Sequence, residues 1–206
     1  MKKYFFILIL AIFSLPSFAQ FEIKTDALGI IYKNYGLGYE IILNENVSVS
    51  LYSKIIFDNF VLQETRGLKY TEHDFISIKS MAEFKYFFNP KIGGDGAFIG
   101  GYMLYKAEEF SDLVYKNPIN GRPYNYRMDY EGHGLGFITG YKHFTESRFY
   151  LEGLVGIGRI TPFHITNAGA GAYLGENYFY ENNYISLWDI RLELCIGFRI
   201  GKMNRE

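Results

Sequence analysis

Residues 184–201 read YISLWDIRLELCIGFRIG. Every second residue, Tyr184, Ser186, Trp188, Ile190, Leu192, Leu194, Ile196, Phe198 and Ile200, falls on one face of an extended chain. The other face carries Ile185, Leu187, Asp189, Arg191, Glu193, Cys195, Gly197 and Arg199. A period of two is that of a strand, because successive side chains point to opposite sides of a sheet. The apolar stripe is long enough to cross a bilayer, which takes roughly 9–11 strand residues. The stretch is therefore read as a transmembrane strand with its charges turned into a barrel.

The N-terminus fits that setting. Lys2 and Lys3 precede an apolar run over 4–15, then Pro16 and the small-residue pattern Ser17-Phe18-Ala19, so residues 1–19 read as a secretory signal peptide and 20–206 as one barrel domain. The apolar run is shorter than the roughly 20 residues a spanning helix needs, and no later run is longer. Any membrane crossing is thus made by strands. A net charge of -1 offers no electrostatic case for nucleic acid. Cys195 is the single cysteine, which excludes an intramolecular disulfide and suits a small filler on the inner face. With 19% aromatic residues, 22 Gly and 5 Pro, the composition favours strands, interfacial Tyr and Phe, and glycines that relieve a crowded interior.

Alternation continues along the whole chain. Strands are expected at 21–32, 36–43, 47–57, 74–88, 97–107, 128–144, 148–160 and 184–201. Their inward faces are marked by Glu22, Lys24 and Asp26, then Glu40, then Lys54, then Lys79, Glu83 and Lys85. Strand five is left without an inside. In strand six, Gly134, Gly136, Gly140 and Lys142 face in; strand seven sends in Tyr150, Glu152, Gly156 and Gly158. The connections at 44–46, 89–96 and 145–147 are short, whereas 58–73, 108–127 and 161–183 read as long loops. Eight strands with alternating short and long connections describe an all-β, antiparallel, up-and-down transmembrane barrel, with only the turn at 33–35 out of pattern.

The interior charge network expected from this alternation comprises Lys24, Asp26, Glu40, Lys54, Lys79, Glu83, Lys85, Lys142, Glu152, Asp189, Arg191, Glu193 and Arg199. Both signs are nearly equal in number, and an eight-stranded barrel is just wide enough for its side chains to fill. The lumen is accordingly read as plugged and structural. Arg191 is expected within reach of Glu152, Asp26 or Glu40. No cofactor, metal or catalytic site is assigned: His73, His133, His143 and His164 lack ligand spacing. Some barrels of this size deacylate lipid A with a His and a Ser two residues apart on a strand. Here His133-Gly134-Leu135, His143-Phe144-Thr145 and His164-Ile165-Thr166 all lack that Ser.

Three further segments carry a resemblance: Ile23-Lys24-Thr25-Asp26-Ala27-Leu28, Gly36-Leu37-Gly38-Tyr39-Glu40, and Ala82-Glu83-Phe84-Lys85-Tyr86-Phe87 followed by a Gly-rich turn and Phe98-Ile99-Gly100-Gly101. In these the chain resembles the small outer-membrane β-barrel domain proteins of Gram-negative envelopes, an OmpA/OmpX-like eight-stranded type of largely unknown function. The resemblance implies a cell outer-membrane location and outer-membrane lipid as surroundings. It also implies periplasmic chaperones and the barrel-assembly machinery as partners in biogenesis. A structural or interaction role through the outer loops is expected, with Tyr173, Tyr178, Phe179 and Tyr180 as contact candidates and the extracellular partner open. The alternatives are a soluble periplasmic lipocalin-like barrel holding a small apolar ligand, which needs the two faces exchanged, and a narrow channel.

Overall fold

A computed structural model of the chain describes residues 20–60, 73–116, 123–145, 147–169 and 188–200. The expected signal peptide, the loop aromatics at 173–180 and the start of the last strand at 184–187 lie outside them. Eight strands form one closed barrel in which each pairs antiparallel with its sequence neighbours and the first pairs with the last. They are β1 (Gln20–Asp26), β2 (Asn34–Asn44), β3 (Val47–Phe60), β4 (His73–Phe87), β5 (Gly96–Lys116), β6 (Pro123–Phe144), β7 (Phe149–Gly169) and β8 (Trp188–Ile200).

The faces divide as the alternation requires. In β8, positions from Asp189 to Arg199 alternate strictly between buried and exposed, apart from half-buried Phe198. Outward side chains are apolar and widely exposed: Ile190 at 79%, Phe137 at 77% and Leu192 at 72%. A continuous belt of this kind is not a surface that water solvates; it is the lipid face of a spanning barrel. The small hydroxyls of Ser53, Ser80, Thr25 and Thr139 on that face are satisfied internally, as hydrocarbon demands. Ser53 and Ser80 bond each other at 3.2 Å, Thr25 donates to the Gly36 carbonyl at 2.7 Å, and Thr139 to that of Phe98 at 2.9 Å.

Strand five now has an inside. Phe98, Tyr102 and Leu104 are buried, while Ile99 and Met103 face out. Glycines opposite the inward rings leave room for them: a Cβ at Gly136 would lie 2.4 Å from Tyr102 ring carbons, and one at Gly197 would lie 2.1 Å from the Tyr150 ring.

Three expectations about element limits are corrected. First, β1 stops at Asp26, and 27–31, read as strand, form a one-turn helix, α1 (Ala27–Ile31), before a turn at Tyr32 and Lys33. Gly29 sets this reversal, because any Cβ there would meet the Asn34 carbonyl oxygen at 2.4 Å. Second, β2 already begins at Asn34, so the tight turn is one residue earlier and rests on Lys33 at φ 56. Third, much of the long loops at 108–127 and 161–183 is strand, since β5 runs to Lys116, β6 starts at Pro123 and β7 continues to Gly169. Both prolines in these extensions sit where a strand tolerates them: Pro123 at a first position, and Pro162 at a register shift opposite Glu131 and Gly132. The three strands thus stand beyond the apolar belt, where Arg127 pairs outside with Glu109 at 2.9 Å and Asp129 at 3.0 Å.

Candidate functional site in the barrel lumen

Inward side chains of neighbouring strands are brought to a common axis by the closure of the sheet, and most of them are charged. Two ends of the barrel need distinguishing: the turn end, with Gln20, Ile200 and the connections after β2, β4 and β6, and the opposite, loop end.

At the turn end Arg199 is fully buried and donates from Nε and Nη2 to Glu22 Oε1 at 2.8 and 2.5 Å. Its remaining donors take the carbonyls of Ile92 at 3.1 Å and Gly93 at 2.7 Å. The β4–β5 connection is therefore folded across the lumen, with Gly94 at φ 62 and its N–H bonded to the Glu45 carbonyl at 2.8 Å. Glycine suits Gly94 because of that left-handed φ, and a Cβ there would also push on the Ile42 Cδ1 methyl at 2.6 Å.

From Arg199 an alternating chain of charges runs along the axis. Glu22 is shared with Lys142 at 2.8 Å; Lys142 reaches Glu40 at 2.8 Å; Glu40 meets Lys85 at 3.1 Å; and Lys85 meets Glu152 at 2.7 Å. Glu152 then takes Lys24 at 2.9 Å, Lys24 reaches Glu83 at 3.2 Å, and Glu83 accepts from Arg191 at 2.6 Å. Arg191 holds Glu193 at 3.0 Å, and Lys54 ends the chain between Glu193 and Asp26, 2.8 Å from each. Signs alternate at every step, so each charge removed from water has an opposite neighbour on which to recover its solvation cost. Two buried serines add donors, Ser48 to Glu40 at 2.6 Å and Ser50 to Glu83 at 2.7 Å.

A shorter branch lies toward the loop end. Asp189 pairs with Lys79 and accepts from the Tyr102 hydroxyl at 2.6 Å, while the Arg191 guanidinium stands 4.8 Å from the Tyr102 ring centre. Aromatic faces pack around other cations too, with Lys85 4.8 Å from the Phe98 centroid and Lys142 4.9 Å from that of Tyr150.

Every residue of the expected interior network lies on the inner face in this arrangement, all buried except Lys79, which is partly so. Arg191 points inward as expected but pairs with Glu83 and Glu193, not with Glu152, Asp26 or Glu40. Strand tilt is the reason: it offsets levels across the lumen, and a same-face neighbour two residues away is already within reach of a long guanidinium. Glu22, placed on the inner face by alternation yet left out of the network, links Arg199 to Lys142. Lys106 and Glu108, paired at 2.7 Å, also fall outside the expected network: Lys106 lies in strand five, which had no assigned inside, and Glu108 lies past the expected end of that strand at Ala107. Cys195 is fully buried against the network. His133 and His143 are exposed on the outer face, His133 with its ring centre 5.5 Å from that of Phe163.

The fold and the lumen define a class, a closed eight-stranded antiparallel barrel with an apolar exterior and an ion-paired interior. Residues 4–168 match the family described as "Protein of unknown function (DUF3575)", and the chain belongs to that family. No curated protein matches it. Among solved structures, the chain is similar to a major outer membrane protein from Thermus thermophilus, at 15% identity and a TM-score of 0.48, covering 88% of this chain and 99% of that one. It is similar also to Neisserial surface protein A (NspA), at 10% identity and a TM-score of 0.42 over 87% and 94% of the two chains. A third is Acinetobacter baumannii CarO2, at 12% identity and 0.45 over 88% and 98%.

Proposed function

We propose that the chain is an integral outer-membrane barrel, exported by its N-terminal signal peptide, whose lumen is plugged and which acts as a structural or interaction protein at its loop end. The observation that carries this reading is the unbroken alternation from Arg199 to Asp26, with side chains between 0% and 7% exposed. A conduit needs charges that meet a passing ion, whereas each of these already has an opposite charge beside it. The same alternation counts against a lipocalin-like interior, which would have to be apolar. Catalysis has no support in it either, since the buried carboxylates are engaged by cations and are not aimed at a substrate space. The partner at the loop end is an extracellular molecule met by the extensions of β5, β6 and β7 and the loops they carry.

Two measurements test the proposal. Purified, folded protein in a planar bilayer is expected to insert without conductance steps; reproducible ohmic steps would replace the plug with a channel. On fractionation, the chain is expected in the outer membrane and in solution only with detergent. Recovery from the soluble periplasm would end the membrane reading.

A further inference from the structure

Among the described lysines and arginines of the barrel wall, one is left over by the lumen. Every other lysine or arginine on a strand whose side chain is described meets a carboxylate at salt-bridge distance. Arg159 on β7 makes no ion pair among the described residues, and it is exposed on the outward face. Its guanidinium stands 5.5 Å from the ring centre of Trp188, its partner in the β7–β8 ladder. The position is the loop-end border of the belt: outward residues from Phe149 to Ile157 on β7 are apolar or glycine, and Arg159 is the first charge.

A groove of about 770 Å³ leads from Arg159 and Trp188 across the outer face, along the ladder row through Leu135, Met103 and Ala82. A second, of about 710 Å³, lies on the turn-end side of the next row. The two share that row, Phe84, Gly101, Phe137 and Ile157. Gly101 lowers the floor between two outstanding phenyl rings, Phe84 and Phe137, which are 51% and 77% exposed.

We propose that this surface is a binding site for one anionic lipid of the loop-end leaflet, with the headgroup phosphate on Arg159 and the acyl chains in the two grooves. The inference rests on the membrane reading above. A guanidinium with no carboxylate partner among the described residues, at the edge of hydrocarbon, is costly unless it meets an anion, and its planar fork fits a phosphate with two parallel hydrogen bonds. Trp188 marks the headgroup level, where indoles concentrate. The grooves are apolar and open to the bilayer, which suits chains and not a small polar ion.

Native mass spectrometry of the full chain in detergent tests this, with phosphatidylglycerol and phosphatidylcholine as probes. The wild type is expected to keep one phosphatidylglycerol under conditions that strip phosphatidylcholine. Arg159→Gln is expected to lower its occupancy about ten-fold, the scale of one charge-assisted pair, and Arg159→Lys to restore part of it. Gly101→Leu fills the groove floor while leaving the charge in place; its Cβ meets only the Gly136 oxygen at 3.6 Å, so the strand accommodates it. It too is expected to lose the lipid. Retention by both Arg159→Gln and Gly101→Leu at the wild-type level overturns the site. Displacement by inorganic phosphate, with Gly101→Leu unaffected, reduces it to a small-anion site and also overturns it. Heat-dependent migration on gels verifies that each variant is folded. A chain soluble without detergent fails the membrane reading before any adduct is counted, whereas lost selectivity in a detergent-dependent barrel fails the lipid site alone.

Discussion

Glu152 meets three ammoniums, those of Lys85 at 2.7 Å, Lys24 at 2.9 Å and Lys142 at 3.4 Å, and is fully buried. Removing its charge leaves three lysines short of a counter-charge in a dry space. Glu152→Gln is expected to destabilise the barrel by about 3–5 kcal/mol, the cost of breaking a buried pair on one side. Urea unfolding in detergent, followed by tryptophan emission, measures it. Steric fit is as exacting as charge. Tyr150 and Gly197 face each other across β7 and β8, and the ring lies over the glycine. Gly197→Ala is expected to cost about 1–3 kcal/mol through overpacking. In a Tyr150→Leu background most of that penalty should vanish, which a double-mutant cycle reads as coupling. Equal costs in both backgrounds would mean that the ring is not what excludes the methyl.

At the scale of elements, the extensions of β5, β6 and β7 behave differently from the belt. The pairs made there by Arg127 are open to water, with side chains 51%, 40% and 37% exposed, so screening leaves them little net worth. Arg127→Ala is expected to leave the urea midpoint at its wild-type value, in contrast to Glu152→Gln in the same assay. Replacing 111–127 by a two-residue Asn-Gly turn joins Phe110 to its ladder partner Met128 and is expected to leave a heat-modifiable barrel. This contrast also explains what could be read in advance. Alternation was legible wherever the two faces of a strand meet different surroundings, as in β3, β4 and β8. Beyond the belt that difference fades, and the extensions of β5 to β7 looked like loops although their backbones pair. The reversal after Asp26 was lost for a related reason: Ala27, Leu28, Gly29, Ile30 and Ile31 are all apolar or small, and nothing in their pattern separates one turn of helix from strand. The inner face of the lumen was readable from period two, but its pairings were not, because tilt decides which levels meet. Glu83, four strands from β8 along the sheet, is therefore a partner of Arg191 that no local pattern announces.

For the whole molecule, closure depends on β1, the shortest strand at seven residues, which pairs with β2 on one side and β8 on the other. A chain lacking 20–26 exposes two strand edges and removes Glu22, Lys24 and Asp26 from the axis. It is expected to show no heat-dependent shift on gels; a shift like that of the full chain would show that β2 and β8 can close the sheet by themselves.

The axial chain of charges has a consequence for the order of assembly. Its links join residues far apart in sequence, 177 positions for Arg199 and Glu22, 128 for Lys24 and Glu152, 108 for Arg191 and Glu83. Until β1 meets β8, the concave side of the growing sheet carries ions whose partners have not arrived, and those ions keep their water. Lumen dehydration is thereby tied to the seam and comes last, as one event. An unfinished sheet remains a wet trough that cannot be left in hydrocarbon, so insertion and closure are coupled steps, and the chain has no stable half-assembled form within the bilayer.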